Sequence, residues 1–351
     1  MRLLGTQAGV VVAVIHAAGA ALSCSAPAPS SAVPRAPTPA PELGAARPAA
    51  AWSTRLAGDH PLVGCIWSVR ASRFVEEAQV LGGLRGYVLL GEKHDNPDHH
   101  ALQARVLRAL VAAGRKPVVA FEMFEVDDQA AIDGARRQHP RDAAALASAA
   151  HWEKSGWPPW ADYAPIAQVA LDASLPIVAT GLPRSRMRAL MKPTDADGGA
   201  GQAIDEGTPL DAAQAASLRE ELKESHCGHL PEAAVGSMIR FQRARDASMA
   251  ASLIAAASAA RAKDAVLIAG TGHTRRDRGA GRDLVVRDPS RPVTSIAFAE
   301  VEVGKNEPPA YASRWNVAAL PFDFVWFTPR ANDDDPCAGF THAEQPVPAS
   351  P

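Results

Sequence analysis

Short apolar runs bounded by turn residues constrain this chain more than any other feature. VGCIWSV (63–69), GYVLLG (86–91), KPVVAFEMF (116–124), LPIVATG (175–181) and DAVLIAGTG (264–272) are each too short for a buried helix. Several are apolar at successive positions, not alternating ones, as strands covered on both faces are. Helical patterns separate most of them, which predicts an α/β fold: a mostly parallel sheet flanked by helices. GYVLLG reads as a central strand; SIAFAEVEV (295–303) and FDFVWF (322–327) read as added edge strands. From about Pro183 to Ala260 strand patterns vanish, which predicts a helical insertion around 184–260.

One helix start is explicit. Asn96-Pro97 supplies an N-cap followed by proline at the first helical position, and the helix should run 97–113 and end near Gly114. Leu102, Val106 and Leu110 form its apolar stripe, with His99 and Gln103 on the same face. His100 falls off that stripe and is expected at the surface, while Asp95 and Asp98 read as caps.

The termini read differently. Arg2 followed by the apolar stretch Val10 to Leu22 resembles a secretory signal peptide, too short to span a bilayer comfortably. It ends in Ala21-Leu22-Ser23-Cys24, which resembles a bacterial lipobox, with Ala21 where that pattern prefers a larger aliphatic. The expected organisation is a signal peptide over 1–24 with lipid on Cys24, a Pro/Ala-rich linker over 25–55, an α/β domain over 56–330 and a flexible tail over 331–351. Plain secretion or a retained anchor are the alternatives to lipidation. Lipid on Cys24 would place the domain in the cell envelope, at the outer membrane or in the periplasm. Beyond Cys24 the chain has Cys65, Cys227 and Cys337, enough for one disulfide and one leftover thiol; Cys227 with Cys337 is as good a pair as any. No C-x-x-C-H occurs, so haem is not covalently attached. With 36 Lys+Arg against 38 Asp+Glu, no basic excess points to nucleic acid.

In parallel sheets, ligands bind beyond the carboxyl ends of the strands. Those ends deliver Glu92 and His94, then Glu122, then His273, Arg275 and Asp277. Two share one form, Gly91-Glu-Lys-His94 and Gly270-Thr-Gly-His273, a G-x-x-H after an apolar strand whose glycine is expected to permit a sharp turn. Two imidazoles and two carboxylates converging there suit a divalent metal (zinc, manganese or iron) that activates water, with His94, Glu122 and His273 as ligands. A hydrogen-bonded polar cluster that orders the loops is the alternative. HCGH (226–229) is a ligand pair or a polar loop. HWEKSGWPPWADYAPI (151–166) packs a core or interface, or lines a flat apolar pocket in which Tyr163 ligates haem, phenolate being a known axial donor. His60, His139 and His151 read as surface. Gln242 and Asp246 are odd companions for Met238, Met249 and Leu253 on one helical stripe. No P-loop, complete G-x-G-x-x-G, G-x-S-x-G or H-E-x-x-H is present.

In combination, GEKHDNPDHHALQ, FEMF, WADYAPI, HCGH with Met238, Gln242, Arg245-Asp246 and Met249, and AGTGHTRRDRG resemble the ChaN family of bacterial haem-binding lipoproteins, over roughly 60–300. The resemblance implies haem binding in iron acquisition, with two subunits enclosing the haem. It implies Tyr163, His99, Arg184, Arg275 and Met249 around the haem, with the arginines on its propionates. Tyr163 is the candidate phenolate because Tyr87 lies in a strand and Tyr311 in a late loop. ChaN is grouped with the Tiki/TraB superfamily, whose paired G-x-x-H motifs and strand-end glutamate match His94, His273 and Glu122. That kinship implies the alternative, a metal-dependent, protease-like hydrolase using Glu92, His94, Glu122 and His273. Whether the chain is an enzyme stays open at this point.

Overall fold

A computed structural model describes residues 52–191, 204–335 and 337–338, with backbone alone at 187–189 and 191. The expected leader with Cys24, the Pro/Ala-rich stretch through 51 and the tail beyond 338 lie outside them. The strands are β1 (Ile66–Ser68), β2 (Arg73–Val75), β3 (Tyr87–Glu92), β4 (Val118–Glu125), β5 (Ile177–Gly181), β6 (Ala265–Gly270), β7 (Val293–Glu300) and β8 (Phe324–Thr328). They form one sheet in the order β2-β1-β8-β7-β3-β6-β4-β5. The six strands from β8 to β5 pair in parallel, and only β1 pairs antiparallel, with β2 and β8.

The α/β expectation holds, and β3 is central, buried along its length between β6 and β7. The edges differ from expectation. β7 and β8 are interior, and the edges are β5 and the unforeseen three-residue β2. The polar residues Ser295 and Glu300 of β7 are buried and satisfied. The Ser295 hydroxyl donates to the Thr274 carbonyl at 2.6 Å, and Glu300 accepts from the Asn96 amide and the Ala331 N–H.

Alternate residues of a strand face opposite layers. Val88 and Leu90 of β3 join the core shared with α2 (Pro97–Ala112) and α5 (Trp160–Asp172), whereas Tyr87 and Leu89 join the core on the other face. The second face is covered by α8 (Glu232–Ala259) and α9 (Ala280–Arg287). The expected helical insertion is present as α6 (Arg184–Met191), α7 (Ala212–Ser225) and α8. It is also the crossover from β5 to β6, because α8 packs on β4, β5 and β6. Met249 is fully buried in that packing, against the sheet, so this expected haem contact is a core side chain instead.

Asn96 caps α2 as expected, its side chain accepting from the Asp98 and His99 N–H groups. The Asp98 carboxylate, expected as a cap, accepts instead from the Ser53 and Thr54 N–H groups and the Thr54 hydroxyl, fixing the segment where the described domain begins. Cys227 and Cys337 form the disulfide, and Cys65 is a buried thiol.

Candidate functional site

The two G-x-x-H motifs fit into one another. Gly91 lies inside β3, opposite Ala269 of β6, and makes no turn. Its lack of a Cβ is what matters. A methyl there would come within 2.2 Å of Thr274 Oγ1 and 3.1 Å of Thr271 Cα, in the loop that carries His273. Conversely, a methyl on Gly270 would meet His94 Nε2 at 2.9 Å. Each glycine makes room for the loop of the other motif. Gly91→Ala is therefore expected to destabilise the domain by about 1–3 kcal/mol through overpacking. Urea unfolding measures it, and an unchanged midpoint would refute the close-approach account.

Glu92 is the buried hub at the end of β3. Its Oε1 accepts from the Tyr163 hydroxyl at 2.6 Å and lies 2.8 Å from His94 Nδ1; its Oε2 is 3.3 Å from His100 Nε2. Burial alone would raise this carboxyl, but His100 and His94 outweigh it and hold it well below the ordinary range. For His94, burial lowers the pKa, and the Glu92 bond with the fields of Glu122 and Glu92 more than reverses that, so the imidazole sits above its usual value. With Nδ1 committed to Glu92, His94 turns Nε2 toward Gly270 and Glu122. Its side chain is 34% exposed and packs edge-on against Trp157 at 4.8 Å.

Glu122, at the carboxyl-terminal part of β4, is the second buried hub. One oxygen accepts from the Arg245 guanidinium of α8 and the other from the Gly270 N–H at 2.7 Å. Burial pushes the carboxyl up; the charges of His273, Arg245 and His94 pull it down further, for a net lowering. His273 Nε2 stands 3.5 Å from Glu122, and Nδ1 lies 2.6 Å from Asp246 of α8. Burial raises the Asp246 carboxyl, with His273 opposing. The oddity of Gln242 and Asp246 on the α8 stripe thus has a cause: both contact His273. The result is a chain of alternating charge types, Glu92–His94, Glu122, His273–Asp246, with Arg245 on its centre.

Glu92, His94, Glu122 and His273 are thus brought together, but not as a metal cage. Among the described residues, no group of three or more His, Cys, Asp or Glu side chains is arranged to hold a metal ion. Both Glu122 oxygens already have donors, one of them a guanidinium that supplies the positive charge a cation would bring.

The expected haem contacts scatter. Tyr163 is fully enclosed, stacked 4.1 Å from His100 and 5.0 Å from Trp152, and burial together with the Glu92 carboxylate pushes its phenol far above the ordinary range. It is a donor to Glu92, sealed from any iron. His99 is buried beneath the sheet end, accepting from the Lys93 N–H and pairing with Thr328. Arg275 is 0% exposed and is bound to Glu221 and Asp277. His100, expected at the surface, is fully buried against Tyr163, because α5 covers a second face of α2. His226 and His229 flank the disulfide turn, where the His226 ring meets the Leu222 carbonyl at 2.7 Å.

Of that set Arg184 alone reaches an open surface. It lines a cleft of about 420 Å³ beyond the ends of β4 and β5, together with Glu122, Glu125, Asp128, His151, Lys154 and Arg245 and the apolar Trp157, Phe241 and Leu182. Trp152 and Trp160 pack on Phe124 behind it, so the aromatic-rich segment serves as core and as cleft wall at once.

A family model described as haem-binding uptake, Tiki superfamily, ChaN matches residues 84–284. Among solved structures, the chain is similar to one described as cofacial heme binding to ChaN of Campylobacter jejuni. The TM-score is 0.57 at 20% identity, covering 74% of this chain and 95% of that one. It is more distantly similar to the type III effector HopBA1 (TM-score 0.39, 17% identity, 70% and 88% covered). An erythromycin esterase EreC mutant in its open conformation follows (TM-score 0.36, 15% identity, 66% and 76% covered). No curated protein matches the chain.

Proposed function

The chain belongs to the ChaN family of haem-binding uptake proteins in the Tiki superfamily, and on that premise we propose that it binds haem in the cleft beyond β4 and β5. The observation that carries the assignment is the make-up of the cleft. Trp157 and Phe241 offer flat apolar surface to a porphyrin, and Lys154 and Arg184, the latter beside Glu125, offer cations to its propionates, while Arg245 stays on Glu122. These walls fit the group; the expected tyrosine does not, since Tyr163 faces Glu92. Haem bound there supplies an iron centre, and the chain's own part is to hold and shield it. The signal-like leader, Cys24 and the Pro/Ala-rich stretch support a lipid-tethered carrier in the cell envelope, serving iron acquisition. A second copy closing the open side of the cleft belongs to the same reading. Titration of the full chain with hemin tests it. The expected result is a saturable Soret shift at fixed stoichiometry; absorbance that grows without saturation would overturn it.

One observation favours a second reading, hydrolysis. Two imidazoles, each backed by a buried carboxylate, flank Glu122, and one of them, His94, is partly exposed. Glu92 fixes the His94 tautomer so that Nε2, as free base, takes a proton from water; His273, fixed by Asp246, stands on the other side of Glu122. This arrangement supports acid–base chemistry by side chains, in place of the expected metal ligation.

A further inference from the structure

Haem iron takes an axial donor, and the tyrosines, Met123 and Met249 are too enclosed to offer one. The sequence has three tyrosines. All three are fully buried with their hydroxyls engaged: Tyr163 on Glu92, Tyr87 on Asp288, and Tyr311 on the Glu302 N–H and Lys305 carbonyl. Met249 is sealed in the core, and Met123, at the cleft, is 4% exposed. His94 does not line the cleft, and one of its ring nitrogens is taken by Glu92.

His151 is different in each respect. It is exposed and lines both the cleft and a neighbouring hollow of about 380 Å³ walled by Trp152 and Trp160. Among the described residues its ring makes no hydrogen bond; only its backbone is tied, to Ser148 and Lys154. Its backbone is left-handed (φ 50°, ψ 37°), which reverses the chain between α4 (Ala143–Ala149) and the 3₁₀ turn Trp152–Lys154. A non-glycine side chain in that conformation costs about 1–2 kcal/mol, a form of strain that recurs at ligand sites.

We infer that His151 is the axial ligand to the haem iron in this chain, replacing a tyrosinate, with Lys154 beside it for a propionate. The inference rests on the haem reading above. It assigns the ligand to the His151 imidazole at the edge of the cleft that Trp157 also lines.

The test compares the full chain with its His151→Gly variant, glycine being at ease with the left-handed backbone. Both are titrated with hemin and with metal-free protoporphyrin, which has no axial position. The expected result is imidazole-type ferric haem in the wild type. Hemin affinity should fall about tenfold or more in the variant, and protoporphyrin affinity change less than about twofold. Unchanged hemin affinity and spectrum in His151→Gly would overturn the ligand while leaving the haem reading intact. Equal losses for both porphyrins would also overturn it, making His151 a wall residue. No saturable hemin binding by the wild type would remove the haem reading itself.

Discussion

Arg245→Ala is expected to destabilise the domain by about 3–5 kcal/mol at neutral pH, because it leaves the Glu122 carboxylate buried without its guanidinium. The Glu122 side chain is 1% exposed, and its remaining fixed donor is the Gly270 N–H. The pH dependence has a definite sign. The folded pKa of Glu122 is lowered, so its contribution is full above the unfolded carboxylate value of about 4.3 and is lost as pH falls through the lower folded value. Removing Arg245 raises the folded pKa, so the acid limb of the stability profile moves to higher pH. Adding Glu122→Gln to Arg245→Ala removes the unpaired charge and should restore much of the loss. Urea unfolding of the two single variants and the double variant gives the coupling. A coupling below about 1 kcal/mol would mean that Arg245 acts through its packing over Phe241 instead.

What the sequence made legible follows from where the physics is local. β3, β4, β5 and β6 are short and apolar enough to be read directly, and Asn96-Pro97 announced α2. Edge or interior is not a property of a strand's own letters. β7 carries Ser295 and Glu300, which look like solvent-facing groups until Thr274, Asn96 and Ala331 meet them from distant parts of the chain. The same holds on α2. Its stripe located the sheet-facing side and placed Gln103 correctly, where its amide donates to the Leu90 carbonyl. His100 lay off that stripe, and only the packing of α5 on a second face of α2 buries it.

The site divides along the same line. The strand ends pointed to Glu92, His94, Glu122 and His273, because residues after parallel strands collect at one edge. The letters alone suggest a turn at the glycine of G-x-x-H, whereas its role is close approach between two loops more than 170 residues apart. Arg245 stood in the quoted motif without a role, since nothing in α8 alone says that it reaches Glu122. Tyr163 was the best tyrosine by elimination; its partner on β3, 71 residues away, is what removes it from the ligand set. His151 carried no sequence signal at all. A histidine between an alanine-rich helix and a tryptophan turn reads as surface, which it is, and the cleft and hollow that it lines exist only in three dimensions.

The second large effect separates the two readings of the Glu122 centre. If His94 works as a base, the full chain hydrolyses a small activated ester with saturation, and His94→Asn lowers kcat/KM by about 10²–10⁴-fold. Glu92→Gln supplies the readout that a merely structural role would not move. In the wild type the Glu92 bond and the two carboxylate fields raise the His94 pKa against burial. The base form is therefore lost as pH falls through a value above the ordinary imidazole value of about 6.5. Replacing Glu92 by the neutral amide removes one of those fields and the charged bond, so the acid limb of the pH–rate profile shifts to lower pH while activity falls. The haem reading expects neither result: wild-type turnover stays at the buffer rate, and both variants bind hemin as the wild type does, because neither Glu92 nor His94 lines the cleft. Saturable turnover with a shifted limb makes the two buried imidazole–carboxylate pairs a catalytic centre. Its absence leaves them as the polar clamp that joins β3, β4 and β6 to α8 and holds the cleft floor in place.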